Sequence, residues 1–341
     1  IGRTPLRLFR PEKDDPFVLR MGDQVRFERI GVEEFHRAEK GVGEQEVGSA
    51  TGDVEVLAPG MQTTVQDLGR YGYGRFGISP NGAADRTSLV AANRRIGNPD
   101  SAAGLEITLT GPTLRFQRRT EIVLTGADLG AHLNGLPLPP GRTQGLMPGD
   151  ELSFAGVQGR GARAYLAVAG GIEVPVVMGS CSTDLTAGIG GHGGRALRAG
   201  DHLHIGSQRR SGPIGSTVST PVDQLSRFDV MPGPQAERFD ERAWESLLGH
   251  PFVVSTSSNR VGLRLEGPEI HPIDSADIIS EGIVTGAIQI TGEGQPIVML
   301  PGHATIGGYT KIATVVEEDL DRLGQLRPGD EICFTCRYKT S

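Results

Sequence analysis

The chain has little sulfur, little excess charge and no long apolar run, and each shortage excludes something. Three cysteines among 341 residues are too few for a disulfide framework. Cys333 and Cys336 form a lone Cys-x-x-Cys, but no second pair or nearby histidine completes a zinc set, so they read as thiols on a buried or edge strand. The eight histidines show no His-x-x-x-His spacing and no paired-carboxylate partners, so no metal is expected on this chain. No stretch approaches the ~20 apolar residues of a membrane span, and no secretory apolar region is present. A cytoplasmic protein with no membrane partner is expected, although the opening at Ile1 rather than Met leaves room for a lost leader. The net charge of −7 argues against a nucleic-acid partner, which calls for a basic surface.

What is abundant is turn chemistry. Fifty glycines and 22 prolines lie unclustered between short apolar runs, as in a protein of many short strands. One phrase, Leu-x-x-Gly-Asp-x-apolar-x-apolar, occurs at Leu19, Leu146, Leu197 and Leu326. Its glycine permits positive φ, its aspartate can bond its own backbone, and alternating apolar residues follow. The phrase therefore reads as scaffold, a turn feeding a half-buried strand. Helices are expected at residues 32 to 39 and within 82 to 99, at 240 to 249 and at 315 to 324. "RTPLRLF" and "DQVRFERI" look strand-like, residues 37 to 52 look like a flexible linker, and a Gly/Ser/Arg-rich join lies near residues 206 to 220. "LEITLTGPTLRF" (105 to 116) is echoed weakly by "LRLEGPEI" (263 to 270), which suggests two related lobes.

Four stretches carry more polar chemistry than turns require. Residues 60 to 86 gather Gln66, Asp67, Arg70, Ser79 and Asp85 among glycines, either to grip a ligand or as an ordered loop in which Asp67 and Arg70 pair. Residues 178 to 194 could form an anion nest or a surface loop, but fit neither a P-loop nor a hydrolase nucleophile elbow. In residues 255 to 268, Arg260 and Arg264 are a candidate clamp for a carboxylate or phosphate, or a pair of surface cations. Residues 280 to 313 supply Glu281, Gln289, His303 and Tyr309.

Taken in order, "LAPGMQTTVQDLGRYGYGRFGISPNGAAD", "GLEITLTGPTLRF", "LTGADLGAHLNG", "MGSCSTDLTAGIGGHGGRALRAGD", "MPGPQAERF", "SSNRVGLRLEGP", "SEGIVTGAIQI", "GGYTKIATV" and "QLRPGD" resemble the family of the 5-oxoprolinase C component, also called allophanate hydrolase subunit 2 or biotin-dependent carboxyltransferases. The resemblance covers nearly all of residues 53 to 336. "IGRTPLRLF" with "LRMGDQVRFERI" is similar to the C-terminal end of the partner family, the 5-oxoprolinase B component or allophanate hydrolase subunit 1. The chain thus looks like part of a B–C fusion: residues 1 to 36 from B, a linker at 37 to 52, and a C-like region at 53 to 341 with lobes near 53–210 and 221–341.

The resemblance implies a mainly β fold of two cyclophilin-like β-barrel lobes with a few short helices. It implies either ATP-dependent opening of 5-oxoproline to glutamate together with the A and B components, or carboxyl transfer from carboxybiotin to urea. A non-catalytic antagonist of a kinase inhibitor is the third family role. ATP would act in the complex and biotin would arrive in trans, since no biotin-attachment Met-Lys-Met or Walker motif is present. An oligomer of B–C units is expected. A pocket for a small amide would use Asp67, Arg70, Asp85 and Glu281 catalytically and bind substrate through Gln66, Ser79, Arg260, Arg264, Gln289 and Tyr309. The family usually has Asp where this chain has Gly302, which puts the activity level in question.

Overall fold

The structure, a computed structural model, describes residues 3–11, 13, 15–20, 22–41, 51–207 and 226–337. The fold is mainly β. From Val54 to Ile205 the strands form two sheets around one apolar core that includes Val56, Leu105, Phe116, Ile122, Leu152 and Leu166. One sheet has five strands, in the order Gln62–Gln66, Gly104–Thr108, Arg163–Val168, Thr120–Gly126 and Gln144–Leu146. The other has seven, with Val54–Ala58 and Thr113–Phe116 near its middle. From Arg227 onward, seven strands close into a barrel. The closing pair, Arg227–Pro232 with Glu331–Cys336, is parallel. A two-stranded ribbon, Asp277–Gly282 with Ile306–Tyr309, stands apart from the barrel strands.

The repeated phrase makes the same turn each time. Gly22, Gly149, Gly200 and Gly329 have φ of 93°, 95°, 86° and 88°, a conformation that costs glycine nothing. Each following aspartate accepts from the backbone N–H three residues earlier, Arg20, Met147, Arg198 and Arg327, at 2.7–2.8 Å. A strand follows three of the four turns. The exception is "DQVRFERI", which forms no strand, and "RTPLRLF" contributes only the isolated bridge Phe9–Phe17. A strand needs a neighbour for its backbone groups. Gly149, Gly200 and Gly329 donate to Phe116, Val56 and Val254 of adjoining segments, whereas the first turn has no sheet beside it among the described residues. The amino-terminal piece docks instead through Phe17 on Phe76, with ring centroids 5.0 Å apart.

The helices follow their capping residues. Asp85 caps Arg86–Ile96 by accepting from Ser88 N–H, and Gly97 ends it at φ 80°. Asp240 caps Glu241–Gly249 through Ala243 N–H. The helix expected at 315 to 324 is short, a 3₁₀ turn at Glu317–Asp319 leading into Leu320–Leu323. The polar helix expected at 32 to 39 runs from Val32 to Gly41, into the start of the expected linker. Residues 42–50, and most of the join expected at 206 to 220, lie outside the described residues. The weak echo has a physical basis: a Cβ on Gly111 would meet the Phe154 ring at 2.3 Å, and one on Gly267 the Phe252 ring at 2.5 Å. Cys333 and Cys336 lie three residues apart on a barrel strand. At ~3.3 Å rise per residue their Cα atoms are too far apart to be bridged.

Buried polar groups join the barrel to the sheets. Glu106, from Gly104–Thr108, accepts from Tyr165 Oη (2.9 Å), Ala84 N–H (2.8 Å) and Arg260 Nε of the barrel (2.9 Å). Gln325, also from the barrel half, accepts from the N–H groups of Ala162 and Arg163 and donates to Asp85 at 2.6 Å. Arg163 Nη1 donates to Gly324 O, and Arg260 Nη2 to Gly82 O. Replacing Glu106 by Ala strands two buried guanidinium groups, and breaking such a pair costs about 3–5 kcal/mol. Tyr165→Phe removes the bond to Glu106 and the one its hydroxyl accepts from Asp85 N–H at 2.8 Å, and is expected to cost about 1.5–3 kcal/mol. Denaturant midpoints of both variants against wild type check the ranking.

Candidate functional site

The loop after Gln62–Gln66 and the glycine-rich stretch at 178 to 194 are far apart in sequence and interlocked in space. Asp67 receives hydrogen bonds from Ser180 Oγ (2.7 Å), Ser182 Oγ (2.5 Å), Cys181 N–H (2.6 Å) and Gly69 N–H (2.8 Å). Arg70 is 1% exposed and donates to the carbonyls of Val177 (2.8 Å), Ser180 (3.4 Å) and Ser182 (2.9 Å). Gly190 makes this possible, because a Cβ there would lie 2.6 Å from Arg70 Nη2 and 2.1 Å from Ser182 O. No ion pair joins Asp67 to Arg70 among the described residues; each binds the second loop instead. Gln66 Nε2 also reaches that loop, at Thr183 O (3.2 Å).

This interlock answers the anion-nest expectation. Asp67 takes the Cys181 N–H, and Asp184 takes those of Thr186 (3.0 Å) and Ala187 (2.9 Å). An incoming phosphate would face two carboxylates there, so the loop does not fit a nucleotide phosphate, and no step is assigned to one. Burial and Asp67 push the Cys181 thiol above its ordinary value despite Arg70, which makes it a poor nucleophile at neutral pH.

The other sequence candidates separate into distinct places. Ser79 Oγ donates to His303 O, tying the first loop to the barrel. Asp85 is fully buried, and its carboxylate accepts from Ser88 N–H, Ser88 Oγ and Gln325, so it caps a helix and ties it to the barrel half. Arg260 and Arg264 do not converge. Arg260 is buried against Glu106 at the junction, whereas Arg264 lies on the exposed face of Gly262–Glu266.

Glu281, Gln289 and Tyr309 gather at the ribbon around a residue that sequence reasoning passed over, Lys311. Its side chain is 3% exposed, its Nζ lies 2.8 Å from Glu281 Oε1, and Gln235 Nε2 donates to the same oxygen at 2.8 Å. These two bonds hold the Glu281 carboxyl below its ordinary value. Gln289 sits opposite Lys311 in the barrel, and Tyr309 pairs with Asp277 across the ribbon. A lysine flanked by apolar strand residues, "YTKIATV", was the available signal.

A cavity of about 240 Å³ opens where the loops meet the barrel, lined by Asn81, Arg260, Gly302, Thr186, Asn259 and their neighbours. Asn81 is 4% exposed and Arg260 6%. Asn81 Nδ2 and Arg260 Nη1 have no hydrogen-bond partner among the described residues. Next to Gly302, burial holds the His303 ring below its ordinary pKa of 6.5. At neutral pH the ring is uncharged, Nδ1 donates to Ala304 O at 2.7 Å, and Nε2 is left as a lone-pair nitrogen. Among the described residues, no cluster of three or more His, Cys, Asp or Glu could hold a metal, and no helix is long and apolar enough to cross a membrane.

Residues 76–336 match the family model described as "Carboxyltransferase domain, subdomain A and B". The chain belongs to this carboxyltransferase family. It is 40% identical to the C component of the Escherichia coli 5-oxoprolinase over 82% of this chain and 90% of that protein. A 36-residue segment, 11% of the chain, is 53% identical to the B component of the Bacillus subtilis 5-oxoprolinase and covers 15% of that protein. Among solved structures, K. lactis urea amidolyase superposes with a TM-score of 0.76 at 34% identity, over 82% of this chain but 18% of that one. TTHA0988 superposes with a TM-score of 0.79 at 34% identity, over 97% of this chain and 64% of that one. The family thus includes members in which this unit is one part of a longer chain.

Two buried rings of this carboxyltransferase unit lower its stability in mild acid. Burial lowers the pKa of both His192 and His303, so the unfolded chain takes up protons that the folded one refuses. Stability therefore falls as pH drops from about 6.5 toward the folded-state values, by at most about 1.4 kcal/mol per pH unit for each ring. Urea midpoints at pH 7.0 and 5.5 check this, and His303→Gln should reduce the difference.

Proposed function

We propose that this protein is the C-like component of an ATP-dependent 5-oxoprolinase, opening 5-oxoproline to glutamate together with an A component and a B-like partner. The observation that carries the reading is the 40% identity to the 5-oxoprolinase C component over 90% of that protein's length. The short match to the B component supports a B-derived piece at residues 1 to 36 ahead of a C-like region at 53 to 341. Exposed Leu8, Val25 and Phe27, the last 88% exposed, are then surface that the rest of the B-like domain covers, and B–C units assemble further with the A component.

In this reading the junction cavity receives the small amide. Asp67 and Arg70 act as positioning residues: they fix the 178 to 194 loop whose Thr186 stands at the cavity rim. His303, which follows Gly302, keeps its Nε2 as a buried lone-pair nitrogen. Glu281 and Lys311 form a second charged site at the ribbon, with Gln289 and Tyr309 beside it. ATP acts in the assembled complex, because the glycine-rich loop does not suit its phosphates.

The second reading, carboxyl transfer from biotin carried on another domain to urea, is favoured by the likeness to urea amidolyase. The two separate in one assay: ATP hydrolysis by the full-length protein mixed with its A and B partners. Stimulation by 5-oxoproline with stoichiometric glutamate is expected. Silence toward 5-oxoproline, with a biotin-dependent response to urea, overturns the first reading and installs the second. Asp67→Asn should lower turnover by about tenfold or more, since it replaces an acceptor of several donors with an amide. Hydrogen exchange should show the 178 to 194 loop loosened while the barrel stays protected.

A further inference from the structure

The floor of the junction cavity is built from buried groups and its rim from exposed ones. Asn81, Arg260 and Gly302 are buried, whereas Thr186 and Asn259 are exposed. Both floor side chains are held in place by other contacts. Asn81 has φ 50° and donates its N–H to Pro301 O at 3.0 Å. Arg260 is gripped by Glu106 through Nε and by Gly82 O through Nη2. What each has left over is a donor: Asn81 Nδ2 and Arg260 Nη1, both buried and both without a partner among the described residues. No carboxylate of the described residues lines the cavity.

A buried donor without an acceptor costs about 1–3 kcal/mol, and a cationic one is the more demanding of the two. Two of them on one cavity floor call for a group that only accepts. We infer that this cavity binds a small molecule through its carboxylate, with Arg260 Nη1 and Asn81 Nδ2 donating to the two oxygens. Gly302 keeps the floor open, since a Cβ there would come within 2.9 Å of Arg260 O and 3.4 Å of Asn81 Oδ1. The arrangement selects by chemistry. Urea offers a single neutral acceptor oxygen, whereas a lactam carrying a carboxylate presents two anionic oxygens, one for each free donor. Naming 5-oxoproline as that molecule rests on the proposed activity; the preference for a carboxylate does not.

The test is calorimetric titration of the full-length protein with four probes: L-5-oxoproline, 2-pyrrolidinone (the same ring without the carboxylate), L-proline and urea. Asn81→Asp keeps the side-chain size and tolerates the left-handed backbone but turns the free donor into an anion. Asn81→Gly removes the donor while accepting the same φ and serves if the first variant melts early. The expected result is that L-5-oxoproline binds about tenfold or more tighter than 2-pyrrolidinone, and that either variant erases this gap without weakening 2-pyrrolidinone. Equal affinity for the two lactams, no binding by either carboxylate probe, or an unchanged gap in both variants overturns the inference. If only L-proline binds, and does so in an Asn81-dependent way, the carboxylate site stands and the 5-oxoprolinase reading falls. If the assembled complex turns over 5-oxoproline with an unaltered KM in both variants, the activity stands and this site falls.

Discussion

Glu106 holds one negative charge at 1% exposure, and groups from both halves of the chain are arranged around it. Arg260 reaches it from the barrel, Tyr165 and Ala84 from the sheet side, and Arg163 Nε stands 3.7 Å away. Removing a carboxylate from water is costly, and only several well-aligned donors offset that cost. The angle at which the barrel meets the sheets is therefore restricted by hydrogen-bond geometry, which is more directional than apolar contact. Gln325 adds a second fixed point, with its amide bonded at both ends to the sheet half.

The cavity depends on that restraint. Arg260 is at once a partner of Glu106 and part of the cavity floor, so the bond that docks the halves also aims the free guanidinium nitrogen. Asn81 follows from the same docking, because its backbone is tied to Pro301 of the barrel half. On the other wall, Asp67 and Arg70 hold the glycine-rich loop by its backbone. These side chains spend most of their hydrogen bonds on positioning, whereas Asn81 and Arg260 line the cavity with a spare donor each. Polar density in a sequence identifies both kinds of residue and does not distinguish them.

The ribbon is organised differently. Lys311 is buried and Glu281 half exposed, and their contact is local to the strands that carry them. Ile279 on the ribbon is 94% exposed and Ile306 61%, so the ribbon presents apolar side chains to solvent. Charge sits beneath and apolar surface above, the reverse of the junction, where apolar strands surround a polar seam.

Features governed by neighbours in the chain were set by the sequence alone. The four Gly-Asp turns, the cap at Asp240 and the glycine stop at Gly97 depend on φ preferences and hydrogen bonds spanning a few residues, and the alternation after three of the turns settled the strands. The mainly β fold and the family were legible for the same reason, through many short motifs kept in order. Tertiary structure decided what each polar group faces. Asp85 reads as a pocket residue and is a buried cap; Arg260 and Arg264 read as a pair and lie in different surroundings; Asp67 and Arg70 read as partners and bind a loop more than a hundred residues away. Lys311 and Gln325 gave almost no signal, since a polar residue in an apolar strand or in a turn acquires its meaning from the groups brought opposite it. "DQVRFERI" carries the pattern of a strand yet pairs with nothing among the described residues, because pairing needs a second segment at the right place, and only the folded chain supplies one.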